Sequence, residues 1–148
     1  MQTYFGSTLR SGSGTLTDST DGGFVVLMQT STVTTNADGT ASSTSVTIPA
    51  NSQIVNIFID QTQNESVGGG TATAINATVG TAAAGTQYLS ATDVIGGGRA
   101  ALTFTAAQLA AMADVGSSTG VFLTVDPNGT IVTTQGIYRF TVVYAQKV

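Results

Sequence analysis

The sequence predicts an all-β chain: an antiparallel β-sandwich, jelly-roll-like, with one short helix near 105–115. Three observations carry this. Segments rich in β-branched and aromatic residues alternate apolar with polar, and turn sequences separate them at short spacing. One segment alone has a helix-start signature, Thr105 followed three residues later by Gln108. With 148 residues and a 41% apolar share, the chain suffices for one domain with one core.

Residues 1–23 are mostly Gly, Ser, Thr and Asp, and their large apolar residues are Met1, Tyr4, Phe5, Leu9 and Leu16. Such a segment cannot build its own core. The expectation is an extended or flexible N-terminal arm over 1–23, with partner contacts through Tyr4, Phe5, Leu9 and Arg10. The sandwich domain then covers 24–148.

Phe24 to Thr35 is rich in β-branched residues and reads as a strand. Asn36-Ala37-Asp38-Gly39 is a turn sequence, and Thr40 to Ile48 follows as a polar strand, so the two predict a hairpin. Pro49 to Ser52 breaks the run. In Gln53 to Gln61, the residues Val55, Ile57 and Ile59 form a wholly apolar face, which assigns them to the core; Ile54, Asn56, Phe58 and Asp60 face away. Asn64 to Gly70 is a loop. Thr71 to Val79 alternates again, with Thr73, Ile75, Ala77 and Val79 on one side. Gly80 to Gly85 reads as loop, Gln87 to Ala91 as a short strand and Gly96-Gly97-Gly98 as a break.

Thr105 and Gln108 then predict a capping box, with Phe104 and Leu109 at the positions of a hydrophobic staple. Ala-rich sequence continues to Val115, and Gly116 suits the stop. Val121 to Val125 is a strand. Asp126-Pro127-Asn128-Gly129 predicts a type I turn with Gly129 left-handed, closing a hairpin with Thr130 to Gln135. Ile137 to Ala145 is the last strand, with Tyr138, Phe140, Val142 and Tyr144 on one face. The expected core contains Val55, Ile57, Ile59, Phe140 and Val142.

The chemistry available is sparse. The chain has no His, Cys or Trp, and only 4 basic and 8 acidic residues, while Thr, Ser and Gly supply 58. Acid–base, nucleophilic and metal chemistry draw on His, Cys, Lys or clustered carboxylates. No catalytic residue, cofactor or metal site is therefore assigned. Asp60 and Glu65, at a strand exit, read as solvated loop charges rather than a glycosidase pair. Asp18 and Asp21 lack the length, spacing and closing Glu of a Ca²⁺ loop. Neither triple-glycine stretch has the pattern of a phosphate cradle. Arg139, between apolar neighbours, reads as a solvent-facing residue, with a buried or subunit-interface ion pair as the alternative.

A net charge of −4, with Arg10, Arg99, Arg139 and Lys147 far apart, disfavours nucleic acid. The apolar runs are too short to span a bilayer, and the start lacks the regions of a secretion signal. The expectation is synthesis in a cytoplasm, without membrane partners. Tyr4, Phe5, Tyr88, Tyr138 and Tyr144 could make a sugar-stacking platform, but Tyr138 and Tyr144 follow the core alternation and read as packing residues.

Two stretches resemble a known group. Thr47-Ile48-Pro49-Ala50-Asn51-Ser52-Gln53-Ile54-Val55-Asn56-Ile57-Phe58-Ile59-Asp60 is similar to a strand, Pro-Ala-x-Ser/Ala, apolar-strand block of small tailed-bacteriophage virion proteins. Ala77-Thr78-Val79-Gly80-Thr81-Ala82-Ala83-Ala84-Gly85-Thr86-Gln87-Tyr88-Leu89 resembles the block that follows it, and the aromatic strand Tyr138 to Tyr144 is similar too. The resemblance spans roughly residues 24 to 145. It implies a capsid decoration (cement) protein, a homotrimer on the virion exterior, made in the host cytoplasm. Its partner would be the major capsid protein, and its N-terminal arm would tie neighbouring capsomers together. The alternative is a receptor- or carbohydrate-binding module of a virion fibre or tail. Exposed aromatics over a groove would favour that alternative.

Overall fold

A computed structural model describes residues 24–147. The arm reading of 1–23, with Tyr4, Phe5, Leu9 and Arg10, lies outside the described residues, as do Asp18 and Asp21. The described chain runs β1 (Phe24–Thr34), β2 (Ser42–Ile48), β3 (Ser52–Gln63), β4 (Ile75–Gly80), β5 (Leu89–Asp93), β6 (Gly98–Arg99), α1 (Ala106–Ala113), β7 (Thr119–Pro127) and β8 (Ile137–Lys147).

The strands form two four-stranded sheets, in the orders β1-β8-β3-β6 and β2-β7-β4-β5, and every pairing is antiparallel. The pairs β1 with β8, β2 with β7, β3 with β6 and β4 with β5 have a simple origin. The chain is one long antiparallel ribbon, folded at the middle between β4 and β5 and wrapped so that the other successive strands change sheet. This is a jelly-roll order, and it realises the antiparallel β-sandwich that the sequence predicts. The inner faces bury Ile54, Ile57, Ile59, Tyr138, Phe140, Val142 and Tyr144 from one sheet, and Ile48, Ile75, Val79, Leu123 and Val125 from the other.

Two predicted hairpins do not form, and the ribbon explains both. The turn at 36–39 carries the chain from one sheet to the other, so β1 and β2 do not pair. Their edges meet through side chains instead: Gln29 Nε2 donates to Thr47 O at 2.7 Å, and the hydroxyls of Ser31 and Thr44 bond. Gly39 takes φ +81°, and a Cβ there would lie 2.6 Å from Gly129 O. In the second case β7 continues to Pro127 and is already flanked by β2 and β4. Residues 130–134 therefore leave the sheet and bond to Thr71, Ala72, Ala37 and Ser66. Gly129 does not take a positive φ.

Val55 also departs from expectation. It is 51% exposed, whereas Ile54 is buried. The register on β8 steps from Ile54↔Tyr144 to Asn56↔Val143, so β3 carries one extra residue at Val55. A bulge of this kind shifts the alternation by one position. Ile57 and Ile59 keep their core places at 2% and 0% exposure, and Phe140 and Val142 are fully buried.

The helix forms with both bonds of its capping box: Gln108 N donates to Thr105 Oγ1 at 3.2 Å, and Thr105 N to Gln108 Oε1 at 2.8 Å. It stops two residues before Val115 because Asp114 is already extended, with φ −155°. The expected staple residue Leu109 is 53% exposed. Met112 instead enters the core, and the buried Gln108 amide donates to Thr86 O and Ser90 Oγ. The segment after the helix bonds to the start of β3, through Val115 N to Ser52 O at 2.9 Å.

Candidate interaction face

The outer face of the β1-β8-β3-β6 sheet can be read row by row from its register. Val26 lies beside Ala145 and Gln53; Met28 beside Val143 and Asn56; Thr30 beside Thr141 and Phe58; Thr32 beside Arg139 and Asp60. Arg99 of β6 flanks Asp60 on its other side. In the first rows Val26 is 62% exposed, Met28 72% and the bulged Val55 51%, beside the polar Gln53 and Asn56. Val143 and Phe58 are half-buried among them. Three of the six large apolar side chains exposed among the described residues therefore lie on this one sheet face.

The last row is ionic. Arg99 Nε donates to Asp60 Oδ1 at 2.7 Å and its Nη2 to Oδ2 at 3.3 Å, while Arg139 Nη2 donates to the same Oδ2 at 3.1 Å. The Arg99 guanidinium also lies over the Phe58 ring, 4.3 Å from its centroid, a favourable cation–aromatic arrangement. Asp60 is 11% exposed at its side chain, against 57% for Arg99 and 48% for Arg139. The hydrogen bond from Arg99 holds the Asp60 carboxyl below the usual carboxylate range; burial opposes this, and Arg139 adds to it. The reading of Asp60 as a solvated loop charge is therefore corrected, whereas Arg139 faces solvent as read from the sequence and also pairs with Asp60 from that exposed position.

Sequence reasoning did not place Arg99 at this site. Gly96, Gly97 and Gly98 take φ values of +116°, +84° and +75°, conformations that L side chains rarely adopt. This glycine run turns a two-residue strand onto β3 and brings Arg99 to Asp60. The run was visible as a break, but its outcome depends on a strand far away in sequence.

Glu65 belongs to a different network. Its carboxylate accepts from the Gln61 amide and from Tyr138 Oη, the latter at 3.1 Å. The Gln61 amide also donates to Tyr138 Oη at 3.1 Å, and its carbonyl accepts from Gly97 N. Burial, reinforced by the Glu65 charge, pushes the Tyr138 phenol far above its ordinary range. Asp60 and Glu65 thus take separate hydrogen-bond partners, the two arginines for Asp60 and Gln61 with Tyr138 for Glu65. Tyr88, Tyr138 and Tyr144 are 4%, 0% and 4% exposed, and act as packing residues rather than a stacking platform.

The outer face of the second sheet differs. Ser43 and Thr124 hydroxyls bond at 2.8 Å, and Ala84 N donates to Thr124 Oγ1 at 2.8 Å, so the 81–85 loop lies against it. Among the described residues no group of three His, Cys, Asp or Glu side chains is placed to hold a metal ion, and no helix is long and apolar enough to cross a membrane. Compared with protein-family models, with curated proteins and with solved structures, the chain has no match in any of the three.

Proposed function

We propose that this chain is a non-enzymatic virion structural protein that binds the outer capsid surface and stabilises it by bridging capsomers. The observation that carries the reading is the outer face of the β1-β8-β3-β6 sheet, on which Val26, Met28 and Val55 are exposed among the described residues. A protein that works by attachment needs area and hydrogen-bonding groups rather than reactive ones, and the hydroxyl-rich, charge-poor surface supplies these without burying many charges. The jelly-roll order is compatible, since capsid and lectin domains both use it, though fold alone does not define function. The two sequence blocks that resemble tailed-phage virion proteins fall on β2 to β3 and on β4 to β5.

On this reading the partner is the major capsid protein, the chain is a homotrimer, and the site of action is the virion exterior. The arm at 1–23, through Tyr4, Phe5, Leu9 and Arg10, adds to the attachment. The fibre or tail carbohydrate-binding alternative is less well supported, because three of its five candidate aromatics are packed in the core. Cryo-electron microscopy of particles from the genome that encodes the chain tests the proposal. Density matching the sandwich at three-fold positions of the head is expected; particles carrying the chain only on tail or fibre would overturn it. Turnover of a glycan, ester or peptide that disappears in Asp60→Asn or Glu65→Gln would overturn the non-enzymatic part.

A further inference from the structure

We infer that the outer face of the β1-β8-β3-β6 sheet docks an aliphatic protein surface that carries a carboxylate, the acid meeting Arg139 and Arg99 and the aliphatic groups meeting Met28, Val26 and Val55. The inference rests on the attachment reading and names the chemistry of the partner surface. It is carried by charge. Two guanidiniums share one carboxylate, which leaves the cluster with one excess positive charge on a chain of net charge −4. Arg139 uses only Nη2 toward Asp60, and Arg99 uses Nε and Nη2. Each guanidinium has five N–H donors in a rigid fork suited to a carboxylate. Arg139 Nε and Nη1 and Arg99 Nη1 have no protein partner among the described residues, and both side chains are about half exposed.

The geometry joins this cluster to the apolar rows. Met28 and Thr32 are four residues apart on β1, so the apolar and ionic rows lie roughly 13 Å apart along the strand. Between them stand the Thr30–Thr141 hydroxyl pair, at 3.0 Å, and Phe58 under Arg99. Asp60 fixes both guanidiniums before any partner arrives, which lowers the ordering cost of docking. A basic partner would meet the excess positive charge and a purely apolar one would leave it desolvated and unpaired, so the cluster selects an acid.

The test uses the full-length chain labelled at methionine methyls and arginine Nε. Two acetylated probe peptides are titrated, one alternating Leu with Glu and the other Leu with Lys. The expected result is a shift of the Met28 methyl and Arg139 Nε signals with the Glu peptide, no shift of buried Met112, and about tenfold weaker binding of the Lys peptide. Arg139→Gln and Met28→Ser, checked for unchanged melting, are each expected to weaken the Glu peptide by a similar factor. Equal response to both peptides, or no response at Met28, overturns the inference. On capsid particles, attachment of the wild type with undiminished attachment of both variants also overturns it and leaves the attachment reading standing. Failure of the wild type to attach removes that reading, and the peptide titration still decides the inference. Two further results would overturn the assigned occupant: dissociation of an oligomer by Arg139→Gln in sedimentation, which identifies a second copy, or movement of the Met28 signal by Phe5→Asp, which identifies residues 1–23.

Discussion

Ile57 sits at 2% exposure between Phe140, Val142 and the opposite sheet, so Ile57→Ala is expected to destabilise the fold by about 2–5 kcal/mol. Val55→Thr, two residues away, should stay within about 0.5 kcal/mol, as surface changes usually do. Thermal or urea melts of the two variants check both, and equal losses would contradict the bulge. Tyr138 gives a pH signature. Its folded phenol resists ionisation while the unfolded phenol ionises near pH 10. Above that pH the unfolded state has released a proton that the folded state retains, so stability should fall as pH rises from about 10. Urea midpoints of wild type and Tyr138→Phe between pH 9 and 11 measure this; the variant, less stable at neutral pH, should show the shallower slope. Asp60 has the opposite sense: its depressed pKa contributes stability that is present above the ordinary Asp value, about 3.9, and is lost as pH falls through the folded value.

Within elements, legibility followed how local the controlling interaction is. The helix start was readable because Thr105 and Gln108 satisfy each other three residues apart. Thr105→Ala should cost about 1 kcal/mol, measured as earlier loss of protection in hydrogen exchange across 106–113. The faces of β4 and β8 were readable because unbroken alternation needs no partner to define it. The face of Val55 was not, since the bulge that exposes it exists only against Tyr144 and Val143 on β8. The Asp60 cluster was hidden for the same reason, as its three members are 39 and 79 residues apart. The arm residues Tyr4, Phe5, Leu9 and Arg10 were named from composition alone. A smaller test concerns β4, where Thr78 Oγ1 is buried without a partner. Thr78→Val keeps the shape and removes that hydroxyl, so its melt should be unchanged or slightly higher.

At the scale of the whole molecule, the two sheets close their core within residues 24–147. Deleting 1–23 should therefore leave the melting of the sandwich nearly unchanged while weakening attachment to particles. Comparison of full-length and truncated protein in calorimetry and in particle binding checks both halves. The wrapped ribbon has a consequence for synthesis. β8 leaves the ribosome after every other described strand, yet it is the strand that separates β1 from β3, so Phe24 waits for Lys147 before it has a strand partner. Until the eleven residues of β8 emerge, one sheet lacks its centre, and β1 and β3 have unpaired edges of the kind that template aggregation. A nascent chain arrested before Ile137 should be open to protease throughout, and release of β8 should confer resistance in a single step.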